Sequence, residues 1–465
     1  MPRCLPVNVF RLILFCCSLS WLAACAPITP PRASVAPALP PSWQAPLPHG
    51  GSLADMALWW QGLDDPVLVG LVQAAQNLSP SAASALARVA QARAARTAAA
   101  ASLQPSLDGS AGAARASAQT GFAAASSLQA GVQASWELDL FGAHRSADEA
   151  AQARLQSAQA QWHDARISVA AELARHYFNQ RACELQVAIV ARDAASRARA
   201  SGATALSAQA GLTAPSLAAL AGAAAAQASA QLTQQRAQCA LEIKALVALS
   251  GVAEPALRQQ LAAAPTDLSP QAALAVPSVP AQALEQRPDL GSAQRDIAAA
   301  SAEFGVAQAQ RYPSLALRGA IGAMALRMGG ASDERPTWSI GPLSLAVPLF
   351  DGGRRAAGEQ AAQARQEEAV ALYQARARQA VREVEEALLN LNSAAAQSAD
   401  ARAADAGYRV ALAAAEARYA GGFASLLELE DTRRSALAAE SALVGLRRDR
   451  IQAWIALYRA VGGAW

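Results

Sequence analysis

Leu128-Gln129-Ala130-Gly131-Val132-Gln133-Ala134-Ser135-Trp136-Glu137-Leu138-Asp139-Leu140 alternates apolar residues with polar or very small ones along its whole length. A period of two belongs to a strand, because successive side chains leave opposite faces, so this stretch predicts one apolar face and one wet face. A strand of about 11 to 13 residues crosses a bilayer at the usual tilt. On alternation alone, a soluble four-stranded sheet is the other reading.

The same landmarks recur later in the chain. Gln104-Pro105-Ser106-Leu107 returns as Tyr312-Pro313-Ser314-Leu315, Leu140-Phe141-Gly142 as Leu349-Phe350-Asp351-Gly352, and Ala151-Gln152-Ala153-Arg154 as Ala362-Gln363-Ala364-Arg365. The offsets are 208 (Pro105 to Pro313), 209 (Phe141 to Phe350) and 211 (Arg154 to Arg365). A period this long implies two copies of one large supersecondary unit, residues 59–270 and 271–465. Each copy reads as helix, strand, strand and long helical hairpin. The opening helices, Asp65 to Ser102 and Ala281 to Arg311, are stopped by Pro105 and Pro313. The strands are expected at about 106–118, 128–140, 314–326 and 338–350, around small-residue loops at Gln119 to Ser127 and Met328 to Thr337. The fold class is therefore mainly α with membrane β.

A long helical run follows each strand pair, Ala143 to about Ala210 and Arg354 to about Gly421, each a rod of about 100 Å. In the second, Val370, Tyr373, Ala377, Val381, Val384, Leu388 and Leu391 step by three and four, the seam of a coiled coil. The rods end at Gly211 and Gly422, where glycine permits the left-handed cap that reverses a helix, and about 40 residues return from each. Residues Ala214 to Ala226 are apolar only through alanine and read as close-packed helix. Cys183 and Cys239 each lie 28 residues from Gly211, so they come level in an antiparallel hairpin. A Cys183–Cys239 disulfide is expected, with two buried thiols as the alternative.

The N-terminus supplies an address. Arg3 and Arg11 precede a short apolar run that ends in Leu22-Ala23-Ala24-Cys25, the pattern of a lipoprotein signal over 1–24, with Cys25 becoming the acylated first residue of the mature chain. Ala26 follows where an aspartate would favour inner-membrane retention, which points to the outer membrane. Residues 25–58 are proline-rich and read as an extended tether, and Pro265, Pro270, Pro277 and Pro280 mark a connector between the copies.

Composition narrows the function. Apolar residues make up 53%, mostly alanine, with 5% aromatic and 16% charged, as expected of closely approaching helices and not of a thick core. A net charge of +3 without a basic stripe gives nucleic-acid binding no electrostatic basis. His49, His144, His163 and His176 lack ligand spacing, and no phosphate loop or nucleophile motif occurs, so no enzyme, metal or cofactor is expected. Four strands cannot close in lipid, so one chain must join others. Trp136, Phe141, Trp338 and Phe350 sit at girdle-like positions. The element order puts the helix ends and the lipid anchor on one side of the membrane, the geometry of a conduit through the periplasm. A non-conducting coiled-coil scaffold is the alternative from another class.

Several motifs resemble those of the TolC/OprM-like outer-membrane factors: Trp59-Trp60-Gln61-Gly62-Leu63-Asp64-Asp65-Pro66, Trp136-Glu137-Leu138-Asp139-Leu140-Phe141-Gly142, Gln286-Arg287-Pro288-Asp289-Leu290, Pro348-Leu349-Phe350-Asp351-Gly352-Gly353 and the ending Ala456 to Trp465. The resemblance implies a homotrimer with a twelve-stranded barrel continued by an α-helical barrel. It implies a periplasmic adaptor and an inner-membrane RND-type pump as partners, and passage of substrate without chemistry. Service as the duct of a type I protein secretion system is a further alternative. The family's periplasmic gate maps onto Arg418, Tyr419, Gly422 and Asp431, with Glu428 one turn earlier and Glu430 where the family usually has an apolar residue. Pairs between these acids and Arg418 would hold the mouth closed. The first tip, Gly211-Leu212-Thr213-Ala214-Pro215, has no charged residue, so the gate is expected to rest on the second hairpin.

Overall fold

The computed structural model describes residues 43–45, 65–117, 124–264, 284–328 and 330–463. Residues 1–24, Cys25, nearly all of the tether, Trp59 to Asp64 and the connector prolines lie outside them. The elements are α1 Pro66–Leu78, α2 Pro80–Ala101, β1 Ser106–Ala116, β2 Ala125–Leu138, α3 Ala143–Gln209, α4 Pro215–Ser250, α5 Glu254–Ala263, α6 Pro288–Ala309, β3 Ser314–Met328, β4 Ala331–Ala346, α7 Arg354–Ala420 and α8 Leu426–Ala460. Among the described residues, no helix is long and apolar enough to cross a membrane.

The chain divides into two compact units, and each draws on both sequence repeats. One takes Arg88–Gln159 and Ser292–Gln374; the other takes Pro37–Ala87, Ala160–Gly291 and Ala375–Trp465. In the first unit, β1, β2, β3 and β4 form one antiparallel sheet in that order, so β1 and β4 are its edges. Register sets the apolar face. Leu138 pairs with Leu315 and Leu315 with Leu345; Trp136 pairs with Leu317 and Leu317 with Leu343; Val132 pairs with Ile321 and Ile321 with Trp338. These rows put large apolar side chains on one side of the sheet, many of them exposed, as a lipid-facing surface requires.

The structure corrects three expectations. The helix read from Asp65 to Ser102 is two helices, because Pro80 has no N–H to donate and Ser79 before it is extended (ψ 122°). The loop read at Met328 to Thr337 is mostly strand, since β4 begins at Ala331. The aromatic pair is also split. Trp338 sits inside β4, while Phe350 lies past its end and is 93% exposed. A bulge explains the weak alternation there: between the Leu317–Leu343 and Gly319–Ile340 pairs, β4 carries one more residue than β3. The parity of β4 therefore inverts at Gly341-Pro342, which brings Ile340 and Trp338 to the same face as Leu343 and Leu345.

The second unit is helical. Leu173 and Tyr177 of α3, Leu246 of α4, Leu257 of α5, Leu68 of α1, Leu388 of α7 and Leu457 of α8 are each buried. The seam read in α7 is largely as expected: Tyr373, Ala377, Val384, Leu388 and Leu391 are buried, while Val370 and Val381 are half-buried. Cys183 of α3 and Cys239 of α4 are joined, with a Cα–Cα distance of 5.6 Å. Arg287 donates to the Ala460 carbonyl at 2.6 Å, to Asp289 at 2.8 and 2.9 Å and to Glu383 at 2.9 Å, tying α6, α7 and α8 together. The chain passes Arg287 at Gly462 (φ +93°), where a Cβ would come within 2.8 Å of the Arg287 Cα.

Candidate gate at the hairpin ends

The two hairpin ends are built alike. Gly211 (φ +72°) and Gly422 (φ +76°) are left-handed, as a cap residue without a Cβ allows. Leu212 N–H donates to the Ser207 carbonyl at 2.9 Å and Phe423 N–H to the Arg418 carbonyl at 2.8 Å, the same six-residue closure in both. The following helices start differently. Pro215 opens α4 after an uncapped Ala214, whereas Ser425 caps α8 by accepting from Glu428 N–H at 3.1 Å.

Charge is concentrated on the second hairpin. Arg418 Nη1 lies 2.5 Å from Glu428 Oε1, and its Nη2 donates to the Phe423 carbonyl at 3.2 Å. Arg418 thus clasps the two arms of its own hairpin, and of the three acids expected to face it, only Glu428 does. Asp431 pairs instead with Arg434, three residues along α8. Tyr419 and Phe423 are both exposed.

Glu430 is the most enclosed of these acids, with its side chain 13% exposed. It accepts from Ser196 Oγ at 2.9 and 2.8 Å and from Arg433 Nη1 at 2.5 Å. Arg433 also donates to Ser196 Oγ at 2.7 Å and to Glu416 of α7 at 2.9 Å. One cluster therefore holds α3, α7 and α8 together, so an acid in a position suited to an apolar residue has its partners. An exposed pair such as Arg418–Glu428 is worth about 0–1 kcal/mol, whereas removing one partner of an enclosed pair costs about 3–5 kcal/mol. The grip between hairpins thus lies at Glu430. Of the residues that the sequence left unnamed, Arg433 was visible as an i+3 partner of Glu430. Nothing in its spacing pointed to Ser196, 234 residues away.

Comparison with known proteins agrees with this architecture. The family described as outer membrane efflux protein matches residues 71–252 and 279–463. The chain is 30% identical over 467 residues to the pyoverdine export outer membrane protein OpmQ of Pseudomonas putida, spanning 96% of this chain and 95% of that protein. It is 31% identical over 353 residues to the outer membrane protein OprJ of Pseudomonas aeruginosa, spanning 73% of this chain and 71% of OprJ. The solved structure of the outer-membrane channel OprN superposes with a TM-score of 0.76 at 26% identity, covering 95% of this chain and 99% of that one. Four antiparallel strands and two long helical hairpins in repeated order are thus what the chain shares with outer-membrane channels, and it belongs to the outer membrane efflux protein family.

Proposed function

We propose that this efflux channel works as a homotrimer, each chain giving four strands to a twelve-stranded barrel and two hairpins to a periplasmic helical conduit. The observation that carries this reading is that β1 and β4 are the edges of the sheet, with no further strand paired to them among the described residues. Open edges are not tolerated in lipid, so each must meet another copy. The repeat indicates how. β1 matches β3 at an offset of 208, and the Ser106–Ser135 and Ser314–Ala346 pairs match β2 to β4 at an offset of 211. Transferring the Leu138–Leu315 pair by these offsets sets Leu349 opposite Leu107 of a second copy. Leu349 is 92% exposed and Leu107 is 72% exposed in the single chain, and both would be covered.

Acylation at Cys25 would hold the N-terminus in the outer membrane without spanning it. In the tripartite assembly, a periplasmic adaptor would engage the hairpin ends and an inner-membrane RND-type pump would deliver cargo. The clasp of Arg418 on Glu428 and the cluster around Glu430 would then set the closed state, with Tyr419 and Asp431 lining the mouth and Gly211 and Gly422 turning the hairpins. The test is a Leu107→Cys/Leu349→Cys double variant oxidised in native membranes, alongside conductance of the purified lipoprotein in planar bilayers. Covalent dimers and trimers from the double variant only, together with discrete conductance, are expected. A protein that neither crosslinks nor conducts would be a scaffold.

A further inference from the structure

The register of the sheet sets a polar row across the strand ends that lie farthest from the helices. Arg115 of β1 pairs with Ser126 of β2, Ser126 with Arg327 of β3, and Arg327 with Ser332 of β4. Strand parity puts this row on the apolar face. Ser126 is in step with Leu128 and Trp136, and Arg327 with Leu315, Leu317 and Ile321, so both arginines leave the sheet on its greasy side. Both are exposed, and among the described residues neither forms an ion pair. Glu334, on the same face, lies one row nearer the helices, opposite Ala325.

The height of the row in a membrane gives it meaning. Twelve residues of β3 separate Leu315, at the helix end of the strand, from Arg327, about 31 Å of height for a strand tilted by about 40°. The outward apolar band of a membrane barrel is about 25 Å tall, so the row falls where hydrocarbon gives way to headgroups. An arginine on a lipid-facing surface is costly at mid-bilayer and nearly free at that level. Arg115 and Arg327 are two strand spacings apart, about 10 Å, which lets both guanidinium forks converge on one group seated over Ser126.

We propose that Arg115, Ser126 and Arg327 form a seat for the phosphate monoester of a glycolipid in the outer leaflet, one seat on each chain. This rests on the barrel reading above, which turns the apolar face to lipid and the far strand ends to the cell exterior. A phosphate monoester carries a charge of about −1.5 to −2, which two guanidinium groups match, and its oxygens accept from both in bidentate pairs. A phosphodiester headgroup has fewer charged oxygens and leaves one arginine unmatched. Ser126 and Ser332 flank Arg327 with hydroxyls that suit a sugar.

The test is native mass spectrometry of the full-length oligomer purified in mild detergent, stripped of lipid and offered four probes: a bisphosphorylated glucosamine disaccharide lipid, the same lipid without its phosphates, phosphatidylglycerol and inorganic phosphate. The parent is expected to retain the bisphosphorylated glycolipid at least tenfold better than its dephosphorylated form, and Arg115→Gln/Arg327→Gln to lose that preference. Arg335→Gln, which alters the opposite face beside Asp333, is expected to retain lipid as the parent does. Equal retention of the two glycolipids by the parent would overturn the seat, whether or not the double variant assembles. Loss of the preference in Arg335→Gln instead of the double variant would place the seat on the wrong face. Stronger retention of phosphatidylglycerol, or displacement of the glycolipid by inorganic phosphate at equal concentration, would overturn the glycolipid as occupant. A parent that conducts and migrates as an oligomer while failing these tests would refute the seat alone; one that neither conducts nor assembles would refute the barrel reading beneath it.

Discussion

Ser196 Oγ donates toward both carboxylate oxygens of Glu430, at 2.9 and 2.8 Å, and this is where the first hairpin grips the second. Removing the carboxylate leaves Arg433, 19% exposed, with Glu416 as its remaining acidic partner. Glu430→Ala should therefore loosen the hairpin ends more than Glu428→Ala, whose partner Arg418 is largely solvated. In planar bilayers, Glu430→Ala is expected to raise the open fraction of single channels several-fold, with Glu428→Ala changing it less. The reverse order would move the grip to the Arg418 clasp.

The Cys183–Cys239 bridge closes a loop with a sequence separation of 56 across α3 and α4, which leaves the second hairpin without a covalent tie. A loop of this size is worth about 2–4 kcal/mol through the unfolded chain. The unreduced, denatured protein should present no alkylatable thiol, and Cys183→Ser/Cys239→Ser should lower Tm by several degrees. Two alkylated thiols by mass spectrometry would establish the reduced pair instead.

Gly131 and Gly322 face each other across β2 and β3, and a Cβ on Gly322 would lie 2.5 Å from the Ala130 carbonyl oxygen. The obstacle is backbone, which cannot swing aside as a side chain does. Gly322→Ala should therefore cut the yield of membrane-inserted, heat-resistant oligomer severalfold, read by gel mobility without boiling.

The strands were legible where side chains alternate undisturbed. Leu128 to Leu140 marks β2 because nothing interrupts its period, whereas the bulge at Gly341-Pro342 inverts the parity of β4 halfway. Trp338 and Ile340 then fall out of step with Leu343 and Leu345, although all four share a face. The break between α1 and α2 was also present in the sequence, since Pro80 suits the first turn of a new helix and not the middle of a long one. At the hairpin ends, glycine marked the turns, whereas the i+3 pair of Glu430 with Arg433 was present in the spacing and went unread. Ser196 was hidden because contacts between helices depend on how two rods are rotated about their axes. Local pattern does not carry that information.

A carboxylate group around Arg287 makes the helical unit sensitive to pH. Burial would raise Asp289, but its hydrogen bonds and ion pair with Arg287 outweigh that and hold its carboxyl below the usual value of 3.8. Asp164 is pushed the other way, first by burial and then by the negative charge of Asp289, with Arg459 and Arg287 offsetting only part. A depressed carboxyl stabilises above its unfolded pKa and loses that contribution as pH falls through the folded value. Asp289 thus supports the fold at neutral pH, and that support is lost only as pH falls from about 4 downward through its depressed folded value. A raised carboxyl favours the fold when protonated, and this contribution is lost as pH rises through its folded value, so Asp164 weighs against stability at pH 7. Asp164→Asn should accordingly raise Tm at pH 7, with the gain shrinking toward pH 4, whereas Asp289→Asn should lower Tm at pH 7 and converge with the parent in acid. Calorimetry of the detergent-solubilised protein from pH 2 to 8 reads both slopes, that of Asp164 above about pH 4 and that of Asp289 below it. A gain for Asp164→Asn that is the same at every pH would assign its effect to packing and not to charge.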